Sequence, residues 1–92
     1  KVAAGDDALS ALKSKCDTEP KNHQARYDYA LALYAQGERD AGVDQLLEII
    51  RQDRKWNDEA ARKELVTIFE ALGPMDPLTI SARKRLSAIL FA

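Results

Sequence analysis

Apolar residues along this chain recur three or four positions apart, and no stretch of useful length alternates one by one. The pattern predicts helices rather than strands. It is clearest around Gly37. Tyr27, Tyr29, Ala30, Leu31, Leu33 and Tyr34 precede that residue, and Val43, Leu46, Leu47 and Ile50 follow it. A helix must stop at Gly37, because a residue without Cβ enters the left-handed region at little cost. Two amphipathic helices joined by so short a turn fold back antiparallel on each other. That hairpin is the unit around which the rest of the chain is organised.

The same reading carried from end to end predicts about five helices. The first begins near Asp6 or Asp7, either of which can cap free N–H groups, and puts Leu9, Leu12 and Cys16 on one face. Pro20 disfavours helical geometry in Glu19, and Asn22 caps a second helix over about 22–36. The apolar surface of this helix is wide enough for a position between neighbours, and small Ala30 and Ala32 let another backbone come close. The third helix, about 38–53, buries Val43, Leu46, Leu47 and Ile50, with Ile49 at the edge. Gly42 in its first half costs about 1 kcal/mol relative to Ala, and a close helix crossing there is the expected offset.

Trp56 reads as a packing wedge at the next junction, given the area an indole buries. Asn57 caps the fourth helix, with Asp58 and Glu59 in the first turn facing the positive end of the dipole. Its inward face is Ala61, Leu65, Ile68, Phe69 and Leu72, and Gly73-Pro74 stops it. Asp76 before Pro77 is a cap followed by proline at the first helical position. The fifth helix then shows Leu78, Ala82, Leu86, Ile89 and Leu90, with Arg83, Lys84 and Arg85 around the outside.

Composition narrows the classes of function. Ninety-two residues, 46% hydrophobic and 32% charged, fit one small globular domain over 1–92. With 14 basic and 15 acidic residues the net charge is −1, so no long-range field draws the chain to nucleic acid or acidic lipid. The longest apolar run, Tyr29–Ala35, is far too short to cross a bilayer. A single cysteine excludes an internal disulfide and fits a reducing, cytoplasmic setting. The chain opens at Lys1, without an initiator Met or a secretory pattern, and is expected to be a piece of a longer protein or a processed chain.

Candidate chemistry is sparse. Cys16, on the face of Leu9 and Leu12, reads as a buried small hydrophobe, and His23 as a surface or capping residue. Two such side chains are too few ligands for zinc. There is no glycine-rich phosphate loop, no nucleophile elbow and no nucleophile with a histidine that periodicity brings near it. Acidic residues sit beside Lys and Arg as helix-stabilising pairs do, Glu59/Lys63 being attractive and Asp40/Asp44 repulsive. The expectation is no catalysis, no cofactor and no metal. Arg51, Arg54, Lys55, Arg83, Lys84 and Arg85 lack interleaved exposed aromatics and read as solvated helix faces. Tyr27 and Tyr34, two turns apart beside Ala30 and Leu33, are either ordinary inter-helix packing or the lining of a concave groove.

Gly37 and Gly73 mark matching hairpin turns, and 73 − 37 gives a spacing of 36 residues. A helix-turn-helix repeat of about 34 residues resembles the tetratricopeptide pattern. Ala30 stands at its small position, Leu33 and Tyr34 at its aromatic positions and Leu46 at a large apolar one. Arg26 departs from the usual Trp, Gly42 from Ala, and Arg54 from the terminal Pro. The fold class expected is all-α, antiparallel helix hairpins stacked as a short tetratricopeptide-like array. Such arrays usually need at least three repeats, so self-association through the face near Leu9 and Leu12 is expected too.

From His23 onward a narrower resemblance appears. The string from Ala25 to Ala35, Leu46–Arg51, Asp53–Lys63 with its Trp56-Asn57-Asp58 junction, and Arg83–Phe91 resemble the C-terminal helical region of bacterial thioredoxin-domain co-chaperones, the chaperedoxins. The resemblance implies an upstream thioredoxin-like domain. It also implies unfolding client proteins as cargo and a chaperonin or other folding chaperone as partner. The C-terminal helix of some members docks on the chaperonin, which points to Arg83, Lys84, Leu86, Ile89, Leu90 and Phe91 as the docking set. On this view Tyr27 and Tyr34 line the candidate groove for client segments. Other tetratricopeptide co-chaperones grip a C-terminal carboxylate, but the matching positions here are Tyr27, Asp28 and Leu31, with Lys63 alone in the next repeat, and Asp28 repels such a ligand. The alternative is a generic tetratricopeptide scaffold for another bacterial complex.

Overall fold

The computed structural model describes residues 2–91, with side chains from Ala8 to Phe91. Five helices run through them: α1 Val2–Thr18, α2 His23–Ala35, α3 Arg39–Asp53, α4 Trp56–Leu72 and α5 Pro77–Leu90. No strand occurs among the described residues, so the all-α class holds. The helix α1 starts at Val2 rather than at Asp6 or Asp7, whose side chains lie outside the described residues. Internal contacts divide the chain into two compact units, one up to Gln45 and one from Leu46, with the boundary inside α3.

In the first unit α1 packs on α2, and Cys16, Ala25, Ala30 and Leu33 are buried while Leu9 and Leu12 are half-buried. Asn22 caps α2 as its residue type dictates, its Oδ1 accepting from the Ala25 N–H at 3.0 Å. The helix ends in a Schellman turn. Gly37 takes φ +92°, its N–H donates to the Tyr34 carbonyl at 3.1 Å, and the Glu38 N–H donates to the Leu33 carbonyl at 2.9 Å. The chain then returns with α3 pressed on α2 at Gly42. A Cβ built there would lie 2.8 Å from the Ala30 carbonyl oxygen and 3.2 Å from the Tyr34 nitrogen. The glycine in the helix is thus explained by the crossing that the sequence called for. Arg26, where Trp is usual in the repeat, is half-buried and donates from Nη1 to Gln45 Oε1 at 2.6 Å.

The second unit buries Leu46, Leu47, Ile49 and Ile50 of α3, Ala61, Leu65 and Ile68 of α4, and Thr79 and Ala82 of α5. Ile49, expected at an edge, is 0% exposed. It follows Leu46 by three residues and therefore shares that residue's stripe. The start of α4 also differs from expectation. Asn57, Asp58 and Glu59 take φ of +49°, +57° and +63°, a left-handed turn ahead of the right-handed helix, so Asn57 is not a cap. Asn and Asp visit this region more readily than other side chains, at a cost of about 1–2 kcal/mol per residue. The turn re-deals the ion pairs: Lys63 meets Asp58 at 3.1 Å and Arg62 meets Glu59 at 2.7 Å, in place of Glu59/Lys63.

The turn from α4 into α5 follows its local chemistry. Gly73 has φ +94° and ψ 156°, a region essentially confined to glycine, and its N–H donates to the Phe69 carbonyl at 2.8 Å. Asp76 Oδ1 accepts from the Leu78 N–H at 2.9 Å, and Pro77 opens α5 where its missing N–H is not needed.

Candidate functional site

Between α4 and α5 runs a groove of about 510 Å³. The α4 wall is Val66, Phe69 and Glu70, positions i, i+3 and i+4 of one helix face. The α5 wall is Thr79, Arg83, Leu86, Ser87 and Leu90, again spaced three or four apart, and Pro74 and Phe91 complete the lining. Most of the surface is apolar. Val66 is 38% exposed and Phe91 83%, while Phe69, Leu86 and Leu90 are half-buried.

Two charges line this apolar surface, Glu70 on α4 and Arg83 on α5. Both are exposed, and neither has an ion-pair partner among the described residues. Thr79 is 0% exposed, and its hydroxyl finds no hydrogen-bond partner there. At the far end Arg54 Nη1 donates to the Leu90 carbonyl at 3.4 Å. Lys55, Arg62 and Glu59 surround a shallower depression beside Leu90. Positive charge at that end complements the negative end of the α5 dipole.

The structure separates the residues that the resemblance points to. Arg83, Leu86, Leu90 and Phe91 share the groove. Lys84 faces a different depression, with Pro77, Ile80, Ser81 and Arg85, and half-buried Ile89 lies outside the lining of either. Of the α4 wall, the pattern of apolar positions marks only Phe69, as part of the inward face, and leaves out Val66 and Glu70. The signal for that wall was the pair Val66 and Phe69, three apart and offset by one from the inner stripe of Leu65 and Ile68.

Tyr27 and Tyr34 are both half-buried on α2, away from this groove's lining. The Tyr34 ring carries the Arg39 guanidinium 5.9 Å from its centroid, a cation–π contact within the hairpin. Asp28, one position after Tyr27, accepts from Gln24 Nε2 at 2.9 Å. Cys16 is 6% exposed, and burial pushes its thiol above the ordinary range against the opposing pull of Arg26. Half-buried His23 opens α2. No group of three His, Cys, Asp or Glu among the described residues could hold a metal ion, and no described helix is long and apolar enough to cross a membrane.

Compared with family models, residues 2–91 match the family described as tetratricopeptide repeat. No curated protein and no solved structure matches the chain.

Proposed function

The chain belongs to the tetratricopeptide repeat family, and from that membership we propose that it is a non-catalytic interaction module of a cytoplasmic co-chaperone. It holds segments of unfolding client proteins and presents them to a chaperonin or another folding chaperone, with α5 as the docking element. Repeats of this family bind protein partners in general. The co-chaperone reading rests in addition on the resemblance from His23 onward. The observation that supports the docking role is the apolar surface of exposed Phe91 and half-buried Leu86 and Leu90, with exposed Arg83 at its side. Contiguous apolar surface is what a soluble domain keeps for a partner.

Two experiments test the two halves of this reading. Deleting Ser87–Ala92 abolishes pull-down by purified chaperonin while helicity by circular dichroism stays nearly intact; unchanged pull-down removes the docking role. Replacing Tyr27 and Tyr34 together with Ala weakens suppression of aggregation of a heat-unfolded reporter enzyme, since amphipathic rings give contact area at little entropic cost. Full protection by the double variant removes the tyrosines from client binding.

The second reading is a scaffold for another complex, favoured by a family match to the repeat itself rather than to any co-chaperone. A scaffold of that kind leaves reporter aggregation unchanged and is not retained by chaperonin.

A further inference from the structure

We propose that the α4/α5 groove is the receptor for one amphipathic helix of a protein partner, about three turns long, acidic along the flank that meets Arg83 and basic along the flank that meets Glu70. The inference rests on the docking role assigned to α5 and specifies its mode: this chain supplies the groove and the partner supplies the helix. The reverse mode conflicts with the packing. Leu86, Ile89 and Leu90 are half-buried, so laying α5 in another protein's groove would strip those side chains from their own unit.

The dimensions fit a third helix. The α5 wall runs from Thr79 to Leu90, a rise of roughly 16 Å at 1.5 Å per residue, or three helical turns. A trough between two packed helices, lined every three or four residues on each side, takes a helix whose own side chains repeat at i, i+4 and i+7. Its floor of Phe69, Leu86 and Leu90 offers aliphatic and aromatic contact to such anchors. The charges then set the occupant's chemistry. Glu70 belongs to one wall and Arg83 to the other, and neither is neutralised among the described residues. No acidic residue occurs anywhere in α5, which carries Arg83, Lys84 and Arg85. A helix seated between the walls therefore meets a carboxylate on one flank and a guanidinium on the other. The complementary ligand has flanks of opposite sign.

The test uses three synthetic helical peptides with the same leucine stripe, capped at both ends. One has Glu on one flank and Lys on the other, one has Glu on both, and one has Lys on both. Because the comparison does not depend on which way the peptide runs, a reversed orientation cannot mimic the result. By fluorescence anisotropy the mixed peptide binds the wild-type chain best, roughly tenfold more tightly than either uniform one. Glu70→Arg makes the doubly acidic peptide the best ligand, and Arg83→Glu makes the doubly basic one best; both side chains are exposed, so the fold is unaffected. Equal binding of the three peptides, an order that the two variants leave unchanged, or no binding at all overturns the proposal. A concentration-dependent dimer in light scattering, abolished by either variant, assigns the groove to a second copy instead and overturns it as well. If peptide sorting fails while chaperonin pull-down still depends on Ser87–Ala92, the docking role stands and this mode falls. If sorting succeeds and pull-down fails, the groove's ligand class stands and the chaperonin falls.

Discussion

Replacing Gly42 with Ala sets two physical effects against each other, and their difference measures the contact on which the first hairpin depends. By helix propensity alone the change stabilises α3 by about 1 kcal/mol. The added Cβ, however, lies 2.8 Å from the Ala30 carbonyl oxygen, 3.2 Å from the Tyr34 nitrogen and 3.3 Å from Tyr34 Cβ. Two of these are backbone atoms, so no rotamer change relieves the clash, and α2 and α3 must separate. Overpacking of this kind costs about 1–3 kcal/mol. With the shortest approach closer than real Cβ contacts, the net loss falls at the upper end, about 1–2 kcal/mol. Against a total stability of roughly 5–15 kcal/mol that is a visible shift. Urea unfolding followed by circular dichroism reads it as a lower midpoint at unchanged slope. A Gly42→Ala chain more stable than wild type by about 1 kcal/mol would show propensity acting alone, and the close approach of the two helices would be refuted.

The other perturbations are simpler. Ile49→Ala costs about 2–5 kcal/mol because the side chain is fully buried; a loss under about 1 kcal/mol in the same urea assay would return Ile49 to the helix edge. Asp58→Gly stabilises the chain by roughly 0.5–1 kcal/mol, the relief of a left-handed residue less the added freedom of the unfolded chain, since the exposed pair with Lys63 is worth little. A lowered melting temperature in that variant argues against the left-handed turn. Burial raises the Cys16 thiol above its ordinary value, so the unfolded chain loses that proton first as pH rises. Stability of the wild type relative to Cys16→Ala is therefore fully present below about pH 8 and declines above it; parallel pH profiles of the two chains would contradict this.

Where a local residue has its own mechanism, the sequence was legible. Asn22 accepts an N–H, Gly37 takes a positive φ, and Asp76-Pro77 opens α5, each for reasons contained in a few neighbouring residues. Gly42 was legible one step further, because a residue that costs helix stability implied a crossing. Tertiary choices were not. Ile49 is placed by what surrounds α3 rather than by its rank in a stripe, and the Asn57–Glu59 turn reverses a capping pattern that reads well locally. Arg83, Leu86, Leu90 and Phe91, which line one side of the groove, were visible from α5 alone. Periodicity assigns faces to one helix at a time, and the groove needs two. Val66 and Glu70 therefore entered only when α4 was seen beside Arg83, Leu86 and Leu90.

The proposed docking of a folding chaperone on the apolar end of α5 is tested by the affinity of purified chaperonin for Phe91→Glu. Phe91 is 83% exposed and follows the last helical residue, so the change leaves the core untouched. Met75→Glu, at 81% exposure and outside the groove lining, is the matched control. Phe91→Glu is expected to lose at least roughly tenfold in affinity and Met75→Glu to lose none, with melting temperatures equal to wild type for both. Equal affinity of Phe91→Glu and wild type would contradict the proposed docking.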